Sequence, residues 1–423
     1  MGMSQSELGL AWLAGPLAGT FVQPLVGMLK DRYGHCQRLV TGGIICLIIT
    51  LLALGWAPDL VYLGKRGPIL GKIVAIAAIV ALNIAVQPVQ LGLRTLIIET
   101  CSPDQQTLAS AWAARMIGAG NIIAQFAGSV DTRKLSLVLT GSQFKNLCLL
   151  TAFSLMLTIF VLAFILRDES PISRVTVCSR PPHVSIHALK SAWRALPRGV
   201  IGVWKIQFFS WMGWFPFLFY AATYIESLGE IPGQTREAAS RDVRVESLHF
   251  GPQAMLINAC ASFLASLLMP AVWDCYQQSG KIDARSTLMR VWMASQVLFG
   301  GCMIGLFWAS TTATAMALMG ILGICWACTS WIPYALISTT ISQRIAGTHS
   351  SEIVTTGAPG PGLVMSLHNV SIAGPQIPAA LVASLILYAV PESSNPLAYV
   401  LLVGGFSGLI GAWMILNLDT MEF

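Results

Sequence analysis

The chain has 423 residues, 55% of them hydrophobic and only 10% charged, with a formal net charge of +6. A water-soluble domain carries roughly a quarter of its residues as Asp, Glu, Lys and Arg, so water is not the solvent for most of this surface. The basic excess is scattered among loops and forms no dense stripe, which argues against nucleic acid as a partner.

Charges cluster between apolar stretches that meet the need for about 20 uncharged residues to cross hydrocarbon as a helix. Only closed hydrogen bonding survives there, and the alternating ten-residue pattern of a membrane barrel is absent. The predicted class is all-α and polytopic, with about eleven spans at roughly 8–28, 39–57, 72–97, 107–130, 146–166, 203–225, 251–273, 287–309, 312–339, 363–390 and 396–418. Cys46, Cys148, Cys260, Cys302, Cys325 and Cys328 lie inside these spans and read as small core residues.

Between the fifth and sixth spans, residues 167–202 are polar and basic, with Arg167, Arg174, Arg180, Lys190, Arg194 and Arg198. This stretch reads as a cytoplasmic linker between an N-terminal bundle, 1–166, and a C-terminal bundle, 203–423. Five spans before it and six after it suggest halves that once matched, with the first helix missing. Placing the linker inside puts Lys30, Arg32, Arg38, Lys281, Arg285 and Arg344 inside as well.

The first cytoplasmic turn contains Gly27, Asp31, Arg32 and Gly34. A short loop with a glycine turn and an Asp31/Arg32 pair can latch two helices in one conformer and release them in another; a solvated charge cluster is the bland alternative. Ionisable groups inside a span are costly unless they face a polar cavity, and Arg94 is the clearest case. Gln90 and Arg94 are four apart, on one helical face. An arginine fork can donate to two adjacent acceptors. Glu99, near the cytoplasmic end of the same helix, is either a proton-coupling carboxylate or a solvated helix end. Arg115 either faces the cavity or snorkels to the interface.

Trp214 and Trp326 lie deep in their spans, as a substrate wall or as packing residues. His368, Asn369 and Gln376 are polar residues of the eleventh span and either bind solute or tie helices together. No serine–histidine–acid or paired-carboxylate arrangement emerges, so an enzyme is not expected. No metal site is expected either: His183 and His187 are four apart but have no third ligand close in sequence. No cofactor is implied.

The run Gly27-Met28-Leu29-Lys30-Asp31-Arg32-Tyr33-Gly34-His35 resembles the G-x-x-x-D-R-x-G-R-R signature of the major facilitator superfamily, departing at His35-Cys36. The stretches WLAGPLAGTFVQPLVG (12–27), IQFFSWMGWFPFLFYAATY (206–224), GICWACTSWIPYALIS (323–338) and LHNVSIAGPQI (367–377) resemble the second, seventh, tenth and eleventh helices of its sucrose and maltose proton symporters. The similarity is greatest to the fungal, general α-glucoside permease-like branch. NIAVQPVQLGLRTLIIET (83–100) resembles that family's fourth helix, whose D-x-A-x-N-x-x-Q-x-x-x-R pattern supplies an acid for the proton and an arginine for sugar hydroxyls. The family's acid falls on Asn83 here and its asparagine on Gln87.

The resemblance implies a two-bundle transporter working by alternating access, with Arg94, Gln90 and Asn83 in a central cavity. The implied cargo is a disaccharide glucoside such as sucrose or maltose, moved with or without a proton across the plasma or vacuolar membrane. A proton-independent facilitator or exporter of another small metabolite, and a non-transporting truncated family member, are the alternatives.

Overall fold

The computed structural model of the protein describes residues 13–34, 36–62, 67–129, 142–165, 193–229, 241–278, 284–347, 359–391 and 395–418. Most of the predicted linker, 167–192, lies outside the described residues.

Twelve helices carry the fold among the described residues. They are α1 (13–33), α2 (Cys36–Trp56), α3 (Gly67–Thr100), α4 (Gln106–Ser129), α5 (Gln143–Ile165) and α6 (Arg198–Leu228). The remainder are α7 (Arg241–Gln278), α8 (Ala284–Phe307), α9 (Thr312–Gly347), α10 (Pro361–Ala373), α11 (Gln376–Ala389) and α12 (Pro396–Leu418). The stretches predicted to span are helical over nearly all of their described residues, apart from Trp308-Ala309, Val390 and the break at Gly374-Pro375 between α10 and α11.

Eight of these passages are long and apolar enough to cross a membrane, by length and composition, among the described residues. Helices α1, α4 and α6 are more polar, and each buries a glutamine: Gln23, Gln106 and Gln207. The architecture is that of an all-α, multi-pass membrane protein. Several helices outrun their predicted bounds; α3 begins at Gly67 and α9 continues to Gly347, because helical hydrogen bonding carries past the apolar boundary into interfacial residues.

Prolines explain the irregular turns. Pro24 has no N–H to offer the carbonyl of Thr20, and Ala18–Val22 adopts a π turn in which the Gln23 N–H reaches back to the Ala18 oxygen. Pro270 likewise leaves the carbonyl of Ser266 without its helical donor, and the Nε of Arg115 on α4 takes that place at 3.1 Å. The Arg115 guanidinium also lies 4.6 Å from the centre of the Trp112 ring. Arg115 is therefore a bond between two helices, the role neither of its predicted readings described.

Contacts gather the chain into two compact units. One holds α1, α2, α3, α5 and α10. Here α2 packs on α3 around Val40, Ile44, Leu47, Ala85 and Val89, and α10 packs on both α1 and α3.

The other unit holds α6, α7, α8, α11, α12, most of α4 and α9 up to Thr340. Lipid tails supply no hydrophobic force between helices, so close approach of small residues has to do the work. A Cβ on Gly213 of α6 would come within 2.6 Å of the Gly404 carbonyl of α12, and one on Gly405 within 3.0 Å of the Gly300 carbonyl of α8. The core beside this seam is aromatic: Trp214, Phe217 and Phe299 are fully buried with Met303 and Leu306. The Tyr224 hydroxyl donates to the Leu306 carbonyl, and Asn258 of α7 donates to the Met319 carbonyl of α9 at 2.8 Å.

Candidate functional site

The first unit carries a polar layer on three mutually packed helices, α1, α3 and α10. From α3 come Asn83, Gln87 and Arg94, spaced so that they share a face. Asn83 donates to the Ile79 carbonyl of its own helix at 2.9 Å, and its Oδ1 lies 3.2 Å from where a Cβ on Gly15 of α1 would sit. Gln87 donates to the Asn83 carbonyl at 2.9 Å, while its Oε1 is buried without a protein partner. Arg94 is half-buried and within electrostatic reach of His368 on α10, which is fully buried. Gln90, on the same face between Gln87 and Arg94, is exposed.

From α1 come Thr20 and Gln23, whose Oγ1 and Oε1 are also buried without protein partners. Asn369 of α10 donates to the Gly19 carbonyl inside the π turn, a long contact at 3.4 Å. A side chain at Gly19 would bring its Cβ within 2.6 Å of the Ala373 Cβ, so the glycine is what lets α1 meet α10 here. The layer thus offers a cation, an imidazole, amides and a hydroxyl, with several lone pairs unspent. Such a set can both donate to and accept from a polar solute.

The predicted latch residues lie in the same unit, where α1 ends beside the start of α10. Asp31 Oδ1 accepts the Gly362 N–H at 2.9 Å and Oδ2 the Leu363 N–H at 2.7 Å, so the carboxylate caps the start of α10. It satisfies two of the donors that a helix N-terminus leaves over and meets the positive end of the helix dipole. Gly27 permits the approach, since a Cβ there would lie 2.6 Å from the Gly362 carbonyl. Gly34 closes α1 with a left-handed φ of 66°, a conformation that costs glycine nothing.

Lys30 is buried, pairs with Glu99 of α3 and stands 3.6 Å from Asp31. Burial acts to lower its pKa, and the Asp31 and Glu99 carboxylates outweigh that, holding it above its ordinary value. Glu99 is therefore an ion-pair partner, not a solvated helix end. Arg32, expected to pair with Asp31, instead lies over its neighbour Tyr33, 5.3 Å from the ring centre.

Trp214, Trp326 and Gln376 belong to the other unit. Trp214 is fully buried, edge-on to Trp326 with ring centres 5.0 Å apart, and its Nε1 donates to Thr329 Oγ1 at 3.3 Å. In this conformation it is a packing residue. Trp326 is half-buried and also meets Trp211, at 5.5 Å between ring centres. Gln376 is half-buried at the start of α11.

Sequence reasoning passed over Thr20 and Gln23. The signal available for them was Pro24, which marks where α1 departs from regular hydrogen bonding. It also missed the start of α10 as the donor to Asp31, although Gly360-Pro361-Gly362 has the composition of a helix entry.

No family model matches the chain. Curated relatives match it nearly end to end. It is 25% identical to the General alpha-glucoside permease of Schizosaccharomyces pombe, covering 100% of this chain and 89% of the permease. It is 23% identical to Sucrose transport protein SUC4 of Arabidopsis thaliana, covering 89% of this chain and 76% of that one. Among solved structures, a bacterial homologue of the iron transporter ferroportin in its outward-facing state superposes with a TM-score of 0.68 at 13% identity, over 99% of this chain and 92% of that one. The E. coli fucose:proton symporter does so with a TM-score of 0.60 at 14% identity, over 98% and 91%. The proton:xylose symporter gives 0.63 at 14%, over 98% and 87%. At such identities the structures speak for the fold alone. The chain is thus similar nearly end to end to an α-glucoside permease and over most of its length to sucrose transport proteins, and it shares the fold of solved transporters.

Proposed function

We propose that this protein is a secondary transporter that moves a glucoside such as sucrose or maltose across a membrane by alternating access. The observation that carries the reading is Arg94, a guanidinium half-buried in a span and within electrostatic reach of the buried His368, in the same unit that holds the unspent polar atoms of Thr20, Gln23 and Gln87 among the described residues. A cation and buried amides at that depth are expensive unless a polar solute or water meets them. The end-to-end similarity to an α-glucoside permease supports the same cargo. In this reading residues 1–166 and 203–423 are two helical bundles joined by the linker 167–202, and the plasma or vacuolar membrane is the site of action. Asp31 is the latch, holding α10 against α1 in one conformer and releasing it in the other.

A second reading, transport without a proton, is favoured by two observations. The position of the family's acid is Asn83, which cannot titrate, and Glu99 is tied to Lys30. Uptake of radiolabelled sucrose and maltose by yeast lacking its own permeases, measured at two external pH values, separates the readings. Uptake that rises on acidification and falls with an uncoupler supports symport, and uptake indifferent to both supports the facilitator. No uptake of either sugar overturns the cargo.

A further inference from the structure

The second unit buries polar atoms that the transport reading does not use. Gln207 and Ser210 on α6 and Trp292 and Gln296 on α8 are buried, Gln207 and Ser210 without any exposed surface. Among the described residues, both amide atoms of Gln207, Ser210 Oγ, Trp292 Nε1 and Gln296 Oε1 have no protein partner. The other end of Gln296 is committed: its Nε2 donates to Thr329 Oγ1 at 3.3 Å, and Thr329 itself donates to the Cys325 carbonyl at 3.0 Å. That commitment sets the orientation of the amide and leaves Oε1 as an acceptor turned the other way.

What Oε1 faces is a niche left by Gly411 of α12. The three heavy atoms nearest to a Cβ there would be Gln296 Oε1 at 3.6 Å and the Ile206 carbonyl oxygen and Ser210 nitrogen, both at 3.9 Å. All three are polar, unlike the surroundings of the neighbouring glycines of α12, where Phe299, Met303 and Ile304 side chains lie closest or nearly so. Trp292 precedes Gln296 by one helical turn, and Gln207 precedes Ser210 by one.

Buried polar groups in folded proteins are paired with protein or with ordered water, and a water requires two to four polar partners and a niche of its own size. Here the Gln296 Oε1 acceptor borders the gap beside the Ser210 backbone, and an unpartnered hydroxyl on Ser210 and an unpartnered indole N–H on Trp292 belong to the same two helices. We propose that Gly411 keeps open a site for internal ordered water, which bonds Gln296 to Ser210 and joins α6, α8 and α12 at the point where their glycine seam stops being dry. Its bonds substitute for the direct side-chain hydrogen bonds that hold helices together elsewhere in membranes.

The test turns on opposite signs. A Cβ at Gly411 meets protein only at ordinary van der Waals distances, so in a dry niche Gly411→Ala fills a void and improves helix propensity, raising the melting temperature. In a hydrated niche the methyl expels the water and strands Gln296 and Ser210. We expect Gly411→Ala to lower the melting temperature of the purified full-length protein by on the order of 2 °C or more. Gly411→Ser, whose hydroxyl can take over the water's bonds, should recover much of that loss. Gly301→Ala is the control, because a Cβ there meets nothing within 4 Å and reports helix propensity without the niche. A rise for Gly411→Ala equal to or above that control overturns the proposal. Should Gly411→Ala not yield folded protein, Ser210→Ala decides: removing an idle hydroxyl from a dry site leaves the melting temperature unchanged or higher, and removing a water ligand lowers it.

Discussion

Asp31 holds the backbone N–H of Leu363 at 2.7 Å, joining two residues 332 positions apart in sequence. With the bond to Gly362 it makes a two-pronged cap that needs both carboxylate oxygens. In Asp31→Asn one prong becomes an NH2 group aimed at an N–H, and the charge facing the helix dipole is lost. A buried donor left unmatched costs about 1–3 kcal/mol. Asp31→Asn should therefore lower thermal stability in detergent and slow uptake. Arg32→Ala, which removes only a stack on Tyr33, should change stability little. Equal effects of the two variants would return the latch to an Asp31/Arg32 pair.

The pairing of Lys30 with Glu99 sets a pH expectation. The folded pKa of Lys30 lies above its ordinary 10.5, so its contribution to stability is fully present below that value and is lost only as pH rises through the higher, folded one. Across pH 6 to 8 the lysine stays charged. Glu99→Gln should accordingly cost the same stability at both ends of that window, and melting curves at the two pH values would check it. A cost that grows toward one end would mean that Glu99 takes up a proton there, as a coupling residue would.

Arg94→Lys keeps a positive charge and removes the fork. Hydrogen bonds to charged groups are worth about 1.5–3 kcal/mol, which corresponds to roughly a tenfold to hundredfold loss. Glucoside uptake should fall by that order while expression and melting temperature hold. Full uptake with the lysine would remove Arg94 from the solute path.

Asn83→Asp puts an acid at the position where the resemblance to the family's fourth helix expects one. The carboxylate cannot donate to the Ile79 carbonyl as the amide does, so some stability is given up. In exchange, uptake should gain or strengthen a dependence on external pH. An unchanged pH profile in a well-expressed variant would show that Asn83 does not occupy the coupling position.

The helices were legible because length and hydropathy are read directly along the chain, and the predicted stretches are helical over nearly all of their described residues. Arg94 could be picked out for a related reason, since a charge inside a span stands against a uniform apolar background, whereas Asn83 was marked only by the resemblance to the family's fourth helix. Asp31 and Gly34 were recognisable as a turn because a left-handed glycine and a charged pair leave a local pattern.

Which atoms those residues touch was not written locally. That Asp31 caps α10, that Lys30 claims Glu99 across 69 positions, and that Arg115 repairs the carbonyl freed by Pro270 depend on which helix faces meet. Trp214 makes the same point, since nothing in its neighbours along the chain distinguishes a cavity wall from the buried stack against Trp326 and Phe299 that it forms. In lipid, sequence decides which segments become helices, because each backbone bond closes within its own segment. Side-chain packing between helices decides the partners, and that is settled only in three dimensions.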